Sequence, residues 1–190
     1  MKHLICLAGG LVLSTVLGLA ADPALSVDEQ ISQAVLPLPA DLRAGATVYT
    51  YDDMGNRKVL RQGTNNVECQ PKDMKDGFTR CASKVTADRR DFQAKLRAEK
   101  KSDKEISAAI AAATKAGTIK PAPFGTMSYR LSSDEGRIKL LWVMSVPNAT
   151  PETVGVSTTS QRDAALKGHG LPWLMLSGTP GAHIMIPINP

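Results

Sequence analysis

The chain has 190 residues, 43% of them hydrophobic, 22% charged and 4% aromatic. That composition belongs to a globular protein with one core of ordinary size, and it excludes wholesale disorder, collagen and a multi-pass membrane protein. Lys and Arg number 23 against 18 Asp and Glu, a net charge of +5, well short of the basic loading of a dedicated nucleic-acid binder.

Met1-Lys2-His3 opens the chain with positive charge, and Leu4 to Leu19 then carries none. Gly18 and Ala20 put small residues before a cut at Ala21, and Asp22-Pro23 follows as a polar turn. This is the layout of a signal peptide over residues 1–20. A retained anchor would need an apolar run of roughly 20 residues. Cys6 lies at the start of the run and no cysteine stands at the cut, which argues against a lipoprotein. Cleavage leaves no transmembrane segment, and the expected destination is secreted or periplasmic.

Two cysteines remain after cleavage, Cys69 and Cys81. An even pair in an exported chain predicts a disulfide, and the loop it closes is worth roughly 3 kcal/mol. Their spacing is not the C-x-x-C of a redox pair or a zinc knuckle.

Residues 21–45 read as a lead-in. Ser26 and Glu29 have the S-x-x-E form of a capping box, and Val27, Ile31, Ala34 and Val35 follow at helical spacing, so a short helix is expected over 27–35. A single α+β domain then occupies 46–190. Thr47 to Tyr51 is β-branched and aromatic, Asp52 to Asn56 is turn chemistry, and Lys58 to Arg61 is extended again, which predicts a β-hairpin over 46–62. A strand or loop carrying Cys69 comes next.

Residues 72–105 hold 11 Lys and Arg against 7 Asp and Glu. Val85, Phe92 and Leu96 form one stripe of a helix over 86–100. Ser102 and Glu105 repeat the capping box ahead of Ile106, Ala109, Ile110 and Ala113, and Gly117 closes that second helix. Mixed signs make these faces solvated ones. After Pro121 and Pro123 four β runs are expected, at 126–131, 138–146, 173–176 and 183–188, with a long loop over 147–170 holding one helical turn near 161–167. The fold class is therefore α+β, an antiparallel sheet with a helical pair inserted between an N-terminal hairpin and C-terminal strands.

No nucleophile elbow, H-E-x-x-H, Walker loop, EF-hand loop or dinucleotide fingerprint occurs. Of the three histidines, cleavage leaves His169, between two glycines in the long loop, and His183, at the head of an apolar run. His183 is the one candidate for a general base, in a small hydrolase with a serine or carboxylate partner. With Met185 it is also a candidate ligand pair for a metal or haem carrier. The bland reading has His183 bonding a backbone carbonyl while the methionines fill the core. Absent any assembled motif, the leading expectation is a non-enzymatic binding or interaction module of the cell envelope, with no cofactor and no metal. The partner class left open is an envelope protein, or an anionic surface met through the basic helices. Nucleic acid is not expected, because no aromatic residues interleave the charges.

Leu60-Arg61-Gln62-Gly63-Thr64-Asn65 ahead of Cys69, the second cysteine at 81, Met127 to Leu131, and the ending Gly181-Ala182-His183-Ile184-Met185-Ile186-Pro187 together resemble a family of small exported bacterial proteins. Its pattern is an LR-x-GTN…C segment and a Pro-His-x-Met-Ile ending, and Ala182 departs from it beside His183. The resemblance implies an exported single domain and brings no activity with it.

Overall fold

A computed structural model describes residues 25–74 and 76–188. The segment 1–20 read as a signal peptide lies outside the described residues. Helix α1, Val27–Ala34, starts at the capping box: Ser26 accepts from the Glu29 N–H, and Glu29 in return accepts from the Ser26 N–H at 2.8 Å. One turn of helix, α2 (Ala40–Arg43), leads to the hairpin of β1 (Thr47–Tyr51) and β2 (Arg57–Arg61). Strands β3 (Val67–Gln70) and β4 (Phe78–Ser83) precede two helices, α3 (Ala87–Ala98) and α4 (Asp103–Lys115). Strands β5 (Met127–Ser132) and β6 (Leu140–Ser145) follow, then the single turns α5 (Pro151–Val154) and α6 (Arg162–Leu166). Strands β7 (Trp173–Met175) and β8 (His183–Pro187) end the fold.

The eight strands form one sheet in the order β2-β1-β3-β4-β5-β6-β8-β7. The class is α+β, with the helical pair between the hairpin and the C-terminal strands as expected. All neighbours are antiparallel except β1 and β3. That parallel pair arises because the chain leaves β2 at the sheet edge and crosses the start of β1 to reach β3 on its other side.

The crossing is where the LR-x-GTN segment sits, and its residues are tied to backbone. Arg61 Nη2 donates to the carbonyls of Arg43 at 2.7 Å and Ala46 at 2.9 Å. Gly63 N–H donates to Thr47 Oγ1 at 3.0 Å, while the Thr64 and Asn65 N–H groups both donate to the Gly45 carbonyl. Asn65 Nδ2 reaches the Leu42 carbonyl at 2.9 Å, and its Oδ1 accepts from the Val67 N–H. A Cβ on Gly63 would lie 2.3 Å from the Gly45 oxygen and the Thr47 nitrogen, so only glycine fits.

Side chains alternate between two faces. On one, Ala34, Val35 and Leu38 from the lead-in pack on Val48, Cys69, Cys81 and Tyr129. Cys69 and Cys81 are register partners across β3–β4, with Cα atoms 4.0 Å apart, and they form the disulfide. Farther along this face, Leu174 and Ile184 join Val146, Ala149 and Ala182 in a second cluster. The opposite face is covered by α3 at the β1–β3 end. Gly55 in the hairpin turn has φ 76° and approaches the Ala94 backbone, where a Cβ would stand 2.7 Å away.

The helical stripe needs a correction at its first member. Val85 lies in a 3-10 turn before α3 and is exposed, so the helix presents Arg90, Asp91 and Ala94 to the sheet. Polar contacts replace the apolar seam because the strands beneath carry Tyr49, Tyr51, Arg57 and Glu68.

Candidate functional site

Two charged groupings stand on the α3 face of the sheet. The first joins α3 to β1, β2 and β3. Glu68 is only 7% exposed and receives Arg57 at 2.9 Å and Arg90 from the helix. Arg57 also bonds Asp91 at 2.7 Å and lies 3.8 Å from the centroid of the buried Tyr49 ring. Arg90 Nε donates to the Tyr49 hydroxyl at 2.9 Å, and Tyr51 donates to Asp91 at 2.6 Å. Burial pushes the Tyr51 hydroxyl far above its ordinary value, with Tyr49 and Asp91 adding to the shift, so the proton stays on to be donated. Burial pulls the Arg57 guanidinium down, but the hydrogen bonds to Asp91 and Glu68 outweigh it and hold the cation. Two cations meet two anions here, and no buried side-chain polar atom among the described residues lacks a hydrogen bond. A set so completely satisfied anchors α3 and leaves nothing over for a substrate.

The second grouping is not balanced. Farther along the same face an open cleft of about 970 Å³ lies over β5, β6, β8 and β7, with Thr158, Ser160 and Arg162 among its walls. Leu141, Val143 and Trp173 form a buried cluster at its base, with Ile138 and Met185 packed against it. Alternation explains the floor: Arg130, Leu141, Met185 and Trp173 all point to this side in the observed register. Phe78 on β4 makes one wall. Arg80 and Arg137 place their guanidiniums 4.8 and 4.6 Å from its ring centroid.

Arg80 is paired with Asp76 at 2.5 Å and Arg137 with Asp134 at 3.2 Å. Arg130 stands directly opposite Arg80 across β4–β5 and, among the described residues, its side chain forms no ion pair or hydrogen bond, with Asp76 acting on it only from a distance. Burial and the Arg80 charge pull its pKa below the usual arginine value, with Asp76 pulling the other way. Like charges directly opposite on neighbouring strands destabilise a sheet. Arg162 lines the other side of the cleft, its Nη2 donating to the Gly136 carbonyl at 3.0 Å.

The rim carries a second irregularity. Leu176 is 58% exposed and holds φ 55°, in the left-handed region. That conformation costs a residue with a Cβ about 1–2 kcal/mol. Its carbonyl accepts from Thr179 Oγ1 at 2.7 Å, which fixes the turn. An exposed leucine kept in a costly conformation at a cleft mouth is the kind of strain that collects at ligand sites.

His183 sits outside this cleft, although its strand neighbour Met185 lines it. The His183 ring Nδ1 is 2.8 Å from the Gly181 carbonyl oxygen. Ser145 and Met175 are its register partners on the flanking strands, and among the described residues no hydrogen bond joins the ring to a hydroxyl or carboxylate. His169 is exposed on the loop after α6. Among the described residues no group of three or more His, Cys, Asp or Glu is placed to hold a metal ion. Sequence reading passed over Arg130, Arg137, Arg162, Phe78, Trp173 and Leu176. The available signal was Arg130 in an alternating strand, at a position of the same parity as core residues on the next strand.

Comparison of the chain with protein-family models, curated proteins and solved structures returned no match.

Proposed function

We propose that the chain is an exported, non-enzymatic binding module of the cell envelope, and that the cleft over β5, β6, β8 and β7 holds its ligand. The carrying observation is Arg130, a half-buried cation without a partner among the described residues, set beside an apolar floor of Leu141, Trp173 and Met185. Binding clefts combine a mostly apolar lining with a few polar groups that fix orientation, and the strained Leu176 at the mouth fits the same reading. Export is supported by the signal-like segment 1–20 and by a disulfide that uses both remaining cysteines.

A neutral fluorescent probe, N-phenyl-1-naphthylamine, tests the cleft. Its emission should rise on binding to the wild-type chain, and Leu176→Asp at the exposed rim should weaken that binding at least about tenfold. Circular dichroism of the variant should be unchanged. No emission change with the wild type, or equal binding by a folded Leu176→Asp variant, refutes the reading.

A further inference from the structure

Resting on the cleft as the binding site, we propose that its ligand is a monoanionic amphipath: one carboxylate on an unbranched acyl body, with the carboxylate on Arg130 and the body lying across the strands toward Trp173 and Leu176.

The charge count sets the head group. Arg80 and Arg137 stack on Phe78 and Arg130 lies across β4–β5 from Arg80, three guanidiniums against the two carboxylates of Asp76 and Asp134, while Arg162 on the far side of the cleft has Asp163 at 3.9 Å. Two ion pairs form and one cation is left, so one negative charge neutralises the group. A second negative charge on the ligand would meet Asp76 and Asp134, and the remaining lining arginine, Arg162, is already held to the Gly136 carbonyl and to Asp163. Guanidinium offers parallel N–H donors that match the two oxygens of a carboxylate. The contrast with the Glu68 network is informative, since there the same sheet face balances two arginines with two carboxylates.

The body follows from the path across the sheet. The same-face path runs from Arg130 on β5 to its partner Leu141 on β6, two residues along β6 to Val143, and from there through its partner Met185 on β8 to Trp173 on β7. Three strand spacings of roughly 4.8 Å make about 14 Å, a span that suits a medium-length acyl chain. The lining along it is apolar, and methionine and leucine side chains adapt to a flexible chain. Met175 and Leu176 continue the apolar surface at the mouth.

The test is displacement of N-phenyl-1-naphthylamine from the full mature chain by decanoate, decanol and decyl phosphate at pH 7. Decanoate should displace the probe at least about tenfold more effectively than decanol. Arg130→Gln, with its fold checked by circular dichroism, should erase that difference by bringing decanoate down to the level of decanol. Retained probe binding with equal displacement by decanoate and decanol overturns the anionic assignment and leaves the cleft standing. So does displacement by neither. A tenfold advantage of decyl phosphate over decanoate overturns the single-charge assignment, because a phosphate monoester carries about −1.5 to −2 at this pH. Failure of the probe to bind at all is the separate outcome that removes the cleft.

Discussion

Gly63→Ala separates a structural role for the LR-x-GTN segment from a ligand-binding one. The new Cβ would stand 2.3 Å from the Gly45 oxygen and the Thr47 nitrogen and 2.4 Å from the Ala46 carbon, all of them backbone atoms. No rotamer change relieves such contacts, so the crossing must lift from the start of β1. Overpacking of this kind typically costs about 1–3 kcal/mol. Lifting also strains the bonds from Thr64 and Asn65 to the Gly45 carbonyl, at 2.8 and 2.9 Å, and from Gly63 to Thr47 Oγ1. Losing two of these adds about 2 kcal/mol. The expected total is about 3–5 kcal/mol, a large share of the roughly 5–15 kcal/mol that holds a domain together. At this chain length the melting temperature should fall by roughly 10 °C. Gly181→Ala is the control: its Cβ meets only the Leu176 Cδ1 at 3.4 Å and Thr179 Oγ1 at 3.8 Å, and it should be neutral or stabilising by about 0.4–1 kcal/mol. Urea unfolding followed by circular dichroism measures both. A Gly63→Ala midpoint equal to that of wild type would refute the steric reasoning.

Glu68→Gln should cost about 3 kcal/mol in urea unfolding, because it leaves Arg57 and Arg90 without their buried counter-charge. Pairing a Glu68→Leu change with Arg90→Met should recover part of that loss, and a double variant no better than the single would count against the ion-pair account. Cys69→Ser with Cys81→Ser should lower stability by roughly 3 kcal/mol. Both cysteines are almost wholly buried, so dithiothreitol should leave the bond intact in the native protein and reduce it only when urea is present, as thiol alkylation would show. The Asp76 carboxyl is raised by burial, but hydrogen bonds from Arg80 and the Phe78 N–H outweigh this and hold it below its ordinary value. A depressed folded pKa stabilises above the unfolded value of about 3.9 and is lost as pH falls through the folded one. Asp76→Asn should therefore cost about 0.5 kcal/mol at pH 7, and the gap to wild type should close as pH falls below about 4. A gap unchanged at low pH would remove the pair from the account.

Local chemistry made parts of the fold legible. Ser26 with Glu29 and Ser102 with Glu105 form reciprocal caps because each pairing lies within one helical turn. The hairpin and the four late strands follow from β-branched runs broken by turn residues. Strand β4 was hidden because Thr79, Arg80, Ala82 and Ser83 have no apolar alternation; the disulfide and the pairing with β3 and β5 hold it in place. The single turn α5 had a readable signature, with Pro151 at its first position and Gly155 closing it at φ 66°. Glu68 between Val67 and Cys69 reads as a solvent-facing residue, and its burial depends on Arg57 and Arg90, 11 and 22 positions away. The cleft is still less local, since Phe78, Arg130 and Trp173 meet only through strand order. His183 drew attention as a polar residue heading an apolar run, and its ring lies against the Gly181 carbonyl two residues before it.

Chain order also explains why a cleft exists where it does. The helical pair is inserted after β4 and turns back over the strands that precede it, so Arg90 and Asp91 reach β1, β2 and β3. Nothing of comparable size follows β6. The segment between β6 and β7 supplies two single turns, the Ser157 carbonyl that accepts from the Leu174 N–H at 2.8 Å, and the Thr158, Ser160 and Arg162 walls of the cleft. One face of a continuous sheet is thus sealed by α3 at one end and opens into a cleft above a buried apolar floor at the other. At the sealed end burial demands charge balance, because an uncompensated buried ion costs several kcal/mol. At the open end Arg130 reaches solvent, and the demand is relaxed until something apolar enters and displaces the water. A ligand that brings its own carboxylate satisfies at that moment the balance which Glu68 and Asp91 supply permanently at the other end.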